Sequence, residues 1–275
     1  MNEALPNDDI DIDEIVDDNG EVRRLGSLAP PENFVSAFKL WEAEKPVWDD
    51  ADIRRVITDP SRTPRRVLFD FKKWIQNQFS KGSCNGYGAA GALSKARFLR
   101  GIQDFLLLSG AYVYSLINGG RDNGSALEDG LRVIQSHGAP PESLVPWDKI
   151  YPKLQPSNAK AEALKHRGLD CYAAQTMQGF RTGIAAGYVG IIAVHAGSKF
   201  QRLNQNGIAG VDSGGGNHAI HCDDLVFKNG TELFDAVNSW GLNYGENGRA
   251  YLHQDSFAQT FGRHTFYLIG STEEK

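Results

Sequence analysis

Cysteine is scarce: Cys84, Cys171 and Cys222 are the only three in 275 residues. An odd, widely spaced trio builds no disulfide framework and has none of the close pairs of a zinc site, so no metal is expected and at least one thiol stays free. Long apolar runs are missing too. No uninterrupted stretch approaches the ~18 residues of a membrane-spanning helix, and residues 2–9 lack the basic-then-apolar order of a secretory signal. Dense Lys/Arg blocks are also absent. Residues 1–22 hold nine acids and no base, leaving 25 of the 34 acids against all 29 bases in the rest of the chain. So weak an excess is no electrostatic footprint for nucleic acid, and neither nucleic acid nor membrane is expected as a partner. What is present is 41 % hydrophobic and 23 % charged residues, enough for one or two packed lobes.

Composition divides the chain in three. Residues 1–65 read as an acidic N-terminal extension, a solvated arm or a pro-like or partner-binding segment, with one hairpin signal where Asn19-Gly20 lies between Ile15-Val16 and Val22. Tested as a calcium loop from Asp9, the run fails, because Glu14 stands where the turn needs glycine and Gly20 where a bidentate Glu is needed. Residues 66–165 carry helical periodicity, with helices expected over Cys84–Leu99, Asp104–Leu116 and from Leu127 to a stop at His137-Gly138. Residues 166–275 turn β-rich, with strands expected at Val189–His195, Ala219–Val226, Ala250–Leu252 and Thr265–Ile269. Helices first and strands second predict an α+β protein of two lobes.

Among the cysteines, Cys84 is singled out by position. It follows Gly82-Ser83 and opens a helix, where the macrodipole and unpaired N–H groups favour the thiolate, the attacking species. Alone it reads more readily as a buried structural cysteine. Two further strings change that: Asn217-His218-Ala219-Ile220 after Gly214-Gly215-Gly216, and Asn238-Ser239-Trp240-Gly241. With Asn77-Gln78 and Gly82-Ser83-Cys84 they resemble the papain-like cysteine peptidases, in a divergent form of bacterial or phage type. His218 follows Cys84 by 134 residues and Asn238 by 154, the first inside and the second just outside the ~130–150 residues usual for that pattern. Asn123-Gly124-Ser125 resembles the family's substrate loop, Pro141 to Trp147 its acid-to-aromatic turn, and Val189–Ile208 the hairpin before its histidine, so the likeness runs from about residue 66 to 270.

The resemblance implies a two-lobed papain-like fold, a helical lobe and a β-barrel-like lobe with the site between them. It implies hydrolysis of peptide bonds through a thioester, as an endopeptidase acting on protein or peptide substrates and needing no cofactor. Cys84 would attack, His218 would hold the proton in a thiolate–imidazolium pair, and Asn238 would orient the imidazole. Gln78 and the Cys84 N–H would hold the oxyanion. Gly124, Ser125, Asn217 and Trp240 would bind substrate or shield the site. His221 is set aside because strand alternation turns it to the other face; His137, His166, His195, His253 and His264 read as surface or satisfied core residues. Three departures stand out: Lys81 replaces a disulfide cysteine, Asn85 replaces an aromatic, and Ser125 replaces a second glycine. The first suits a reducing location, cytoplasmic or inside a phage particle; the other two predict a weakened site. The alternative is a papain-fold scaffold of a virion or other assembly, anchored through residues 1–65. A cell-wall amidase with a Cys-His pair is disfavoured by the Asn-Ser-Trp-Gly string.

Overall fold

The computed structural model describes residues 13–69, 72–102, 105–117, 119, 121–261 and 265–270. Acids Glu3, Asp8, Asp9 and Asp11 of the N-terminal run, and His264, lie outside the described residues.

The chain opens with a hairpin, β1 (Glu14–Val16) and β2 (Val22–Arg24), around the Asn19-Gly20 turn. Short helices α1 (Trp41–Glu44), α2 (Asp50–Ile57) and α3 (Arg65–Leu68) follow. The helical side is built from α4 (Cys84–Leu99), α5 (Gly110–Ile117), α6 (Leu127–Ser136) and α7 (Ala159–Ala163). The sheet side holds β3 (Cys171–Ala174), α8 (Met177–Ala185), β4 (Val189–Val194), α9 (Ser198–Gln201), β5 (His218–Lys228), β6 (Thr231–Val237), β7 (Arg249–Leu252), α10 (Asp255–Phe261) and β8 (Phe266–Ile269).

Every pairing in the larger sheet is antiparallel, in the order β3-β8-β4-β5-β6-β7. The architecture is therefore α+β, as the resemblance implies. The sheet is not barrel-like: among the described residues it is open, because β3 and β7, four residues each, form its two edges and do not meet.

Helix α4 is unusual for its sequence. Its run Cys-Asn-Gly-Tyr-Gly-Ala-Ala-Gly carries three glycines, each worth about 1 kcal/mol less than alanine in a helix. Burial on nearly all sides compensates, since α4 is the central post against which α5, α6, β4 and β5 pack. Small residues permit that approach: a Cβ at Gly91 would lie 2.6 Å from His221 Cε1.

Three features depart from the sequence expectations. The helix expected over Asp104–Leu116 begins only at Gly110: Asp104 is outside the described residues, and Ser109 caps the helix by accepting the Tyr112 N–H at 3.0 Å. The apolar run at Phe105–Leu108 mimics a helical face, but Leu108 bridges Pro141 instead. Within the hairpin-like stretch Val189–Ile208, Ser198–Gln201 form the helical turn α9, with Asp212 accepting the Lys199 and Phe200 N–H groups at its start.

The third concerns residues 13–65, which are no solvated arm. Trp41 packs edge-on against Tyr172 and Tyr188, and Ile53 and Ile57 of α2 join the main core. Glu42 accepts the N–H groups of Gln175 and Thr176. The buried Arg65 guanidinium donates to the carbonyls of Ile184, Tyr188 and Asp223. Residues 38–65 thus brace the sheet side. Residues 13–28 do something else.

Candidate active site

The N-terminal end of α4 meets the start of β5. Cys84 occupies the first helical turn, fully buried, and His218 begins the strand. His218 Nε2 lies 2.8 Å from Asn238 Oδ1, which also accepts the Ser239 N–H at 2.8 Å. The second bond fixes the Asn238 amide, so Oδ1 faces the ring, Nε2 carries the hydrogen and Nδ1 keeps its lone pair. Trp240 covers the pair, its ring 4.7 Å from the imidazole at 30°, and Phe200 and Tyr244 close the cage around Trp240. Water is kept from the His218–Asn238 bond.

Gln78 is fully buried and held at both ends. Its Oε1 accepts from Ser239 Oγ at 2.6 Å and its Nε2 donates to the Lys81 carbonyl at 2.6 Å. The second Nε2 hydrogen reaches the Arg24 carbonyl at 3.2 Å. Ser239, inside the Asn-Ser-Trp-Gly string, is therefore a positioning residue that spacing alone did not reveal.

On the other wall, Asn85 donates from Nδ2 to Ser125 Oγ at 2.9 Å and to the Ala126 carbonyl. The two departures expected to weaken the site are thus partners: the amide that replaces an aromatic ties α4 to the loop carrying the serine that replaces a glycine. Asp122 locks the same region, accepting the Gly82 N–H at 2.7 Å. Gly124 donates its N–H to Tyr114 Oη at 3.0 Å. Asn217 lies on the opposite wall, its Oδ1 accepting from the Ala196 N–H at 2.9 Å. The structure therefore gathers Gln78, Cys84, His218, Asn238 and Trp240 at one end of a cleft, with Ser125 and Asn217 facing each other across it.

The cleft is filled by residues 24–28. Ser125 N donates to the Gly26 carbonyl at 2.8 Å, Leu28 N to the Ser125 carbonyl at 2.9 Å, and Ser27 N to the Asn217 carbonyl at 3.0 Å. This strap bonds to both walls, and its Ser27–Ser125 bridge is parallel. Only glycine fits at its centre, since a Cβ on Gly26 would meet the Gly82 carbonyl at 1.9 Å. A cavity of about 630 Å³ lies elsewhere, beside Arg66, Lys72, Leu242 and Glu246.

Electrostatics follow from that occlusion. Burial pushes the Cys84 thiol up to about 11, against the pull of the N–H groups of Ala219, Gly26, Asn85 and Cys84 itself. Burial also lowers His218 to about 4; the bond to Asn238 opposes this, and the positive charge of Arg23 adds to it. His218 Nδ1 has no hydrogen-bond partner among the described residues. With the strap in place both groups are neutral, and no thiolate–imidazolium pair is assembled.

Fold and cleft define a two-sided α+β protein with a buried cysteine, histidine and asparagine cluster where a helix end meets a sheet. A family model described as papain family cysteine protease matches residues 69–266. The chain belongs to that family of peptidases. Among solved structures it is similar to xylellain, a cysteine protease from Xylella fastidiosa (TM-score 0.63, 16 % identity, covering 90 % of this chain and 97 % of that one). It also resembles digestive procathepsin L 3 of the Tenebrio molitor larval midgut (TM-score 0.58, 14 % identity, 72 % and 66 % covered). A third is the Amb a 11 cysteine protease, a ragweed pollen allergen, in its proform (TM-score 0.58, 17 % identity, 89 % and 70 % covered). No curated protein sequence matches the chain. None of the described helices is long and apolar enough to cross a membrane.

Proposed function

We propose that this chain is a latent cysteine endopeptidase whose own strap occupies the cleft at rest. The observation that carries the reading is the His218–Asn238 bond beneath Trp240, which leaves the Nδ1 lone pair of a neutral imidazole beside the helix end that presents Cys84. When the strap lifts, solvent and substrate replace it, His218 Nδ1 takes the Cys84 proton, and the thiolate attacks a peptide carbonyl carbon. The carbonyl oxygen, now negative, accepts hydrogen bonds from the Gln78 Nε2–H that the Arg24 carbonyl accepts at rest and from the Cys84 N–H. As the C–N bond breaks, His218 returns the proton to the departing amine and a thioester remains. Water, deprotonated by the same imidazole, hydrolyses it. Asn238 keeps the ring in one tautomer throughout. Ser125 and Asn217 offer backbone groups to an extended peptide, the mode the strap itself uses, and the Gly124 N–H bonded to Tyr114 Oη holds their loop in place.

At rest the Gly26 N–H is among the groups that pull on the Cys84 thiol, and the strap pairs with Ser125 in the parallel sense.

The test is hydrolysis of an unfolded protein substrate by the full chain and by C84A. Loss of cleavage in C84A is expected; retained cleavage overturns the assignment. Iodoacetamide labelling at pH 6 gives a second reading. Cys84 labels whenever the strap opens, whereas Cys171 and Cys222, whose thiols burial also pushes up and which no strap uncovers, wait for unfolding. Equal slow labelling of all three would favour the scaffold reading.

A further inference from the structure

The strap brings a ligand with it. Arg23 is only 1 % exposed, and its guanidinium reaches two acceptors that belong to the cleft: Nη1 donates to Asn77 Oδ1 at 2.9 Å and Nη2 to the Trp240 carbonyl at 3.2 Å. The remaining donors turn back onto the β1–β2 hairpin that leads into the strap, Nε to Asp17 Oδ2 at 2.9 Å and Nη2 to Glu21. A buried guanidinium is costly unless its charge and its N–H fork are both matched. Here the cleft supplies neutral, directed acceptors and the ligand supplies the carboxylates.

The acceptors are fixed by the protein body. Asn77 and Trp240 form an antiparallel bridge, Gly241 N donates to the Gln76 carbonyl at 3.0 Å, and Phe79 N holds Asn77 Oδ1 at 2.8 Å. Their location is functional. Asn77 precedes Gln78, and Trp240 roofs His218, whose imidazole feels the Arg23 charge. The neighbouring Arg24 has a different role: its guanidinium, 28 % exposed, reaches Asp122 and Glu14 at the cleft rim.

We propose that Asn77 Oδ1 and the Trp240 carbonyl form a guanidinium subsite on the Trp240 side of Cys84, filled at rest by Arg23 and filled in trans by peptides that carry arginine with acidic neighbours. The inference rests on the cleft being the substrate-binding surface. It makes one residue the latch of the latent state and the same acceptors a determinant of which peptides compete with it.

The test uses the full chain carrying R23M, which keeps an unbranched apolar stem and removes the charge and the fork. Cys84 alkylation by iodoacetamide, mapped by mass spectrometry, is expected to rise at least about tenfold over the unsubstituted chain. A synthetic peptide spanning residues 17–28 is then added to the R23M chain. With arginine at the position of residue 23 it protects Cys84; with citrulline there, neutral and nearly isosteric, at least about tenfold more peptide is needed. Equal protection by the two peptides, or an R23M chain alkylated at the original rate, overturns the subsite. If R23M does not fold, R23K, which keeps the charge and loses the planar fork, carries the same peptide comparison. The readout is independent of turnover, so a chain that hydrolyses nothing yet separates arginine from citrulline keeps the subsite and loses the peptidase reading.

Discussion

His218 and His221 stand three residues apart on β5, both buried, and their surroundings could hardly differ more. His218 meets a neutral amide and an indole. One nitrogen is engaged by Asn238, and the other has no hydrogen-bond partner among the described residues. His221 faces α4, where Lys95 Nζ lies 3.0 Å from its Nε2. Asp223 accepts from Lys95 at 2.9 Å and pairs with Arg249 at 2.8 Å. Burial lowers both imidazoles; at His221 Lys95 and Arg249 also repel the cationic form, against the attraction of Asp223. Burial also draws Lys95 down to about 8. Asp223 is held far below the usual carboxylate range, since its cations override what burial alone would do. A histidine whose lone pair is taken by an ammonium cannot accept a proton from a thiol. The comparison teaches that burial does not distinguish a base from a strut; the partners of the second ring nitrogen do.

The largest expected effect separates the two directly. H218A should lower turnover per folded molecule by at least about a thousandfold, whereas H221Q should keep turnover per folded molecule within about threefold. Equal losses, measured as kcat/KM on one peptide, would break the contrast. Next is the oxyanion side. Q78A removes one donor and should cost about 10²- to 10³-fold in kcat, with KM nearly unchanged. On the His221 side the expected loss is of stability. D223A leaves Lys95 and Arg249 facing each other in the interior, a change of roughly 3–5 kcal/mol in urea unfolding, with catalysis by the folded fraction retained. The smallest effect is in pH. An unfolded imidazole takes its proton near 6.5 and folded His218 only near 4. Between these values the unfolded chain therefore binds more protons, and stability falls as pH falls through that window. The urea midpoint should decline from pH 7 to pH 4, and less steeply in H218A; an unchanged slope would show that His218 is not the group concerned.

Much of the site was legible because its chemistry sits in short strings. Cys84 follows two small residues at a helix start, and Asn217-His218 and Asn238-Ser239-Trp240-Gly241 each stay contiguous on their strand or turn. The Asn19-Gly20 hairpin was legible for the same reason, a local backbone preference at positive φ. That Asn85 and Ser125 are partners was not legible in either residue singly. Forty residues separate them, and a bonded pair cannot be read from either half. The strap was opaque for a related reason: its acidic composition suits a solvated arm, yet Arg23 is enclosed by acceptors 54 and 217 residues away. At Phe105–Leu108 the apolar run carried the wrong period, and the Ser109 cap decided where the helix began.

The sequence by itself determined the α+β order, the nucleophile candidate, its histidine and asparagine, and the scarcity of cysteine that leaves three thiols free in the folded chain. Those are matters of residue type and local spacing. Only the tertiary structure decided that residues 24–28 lie in the cleft, that Gly26 abuts Gly82, and that thiol and imidazole rest neutral beneath them. Each depends on two distant segments being brought within a few ångströms, where exclusion of water sets the charge a group can hold.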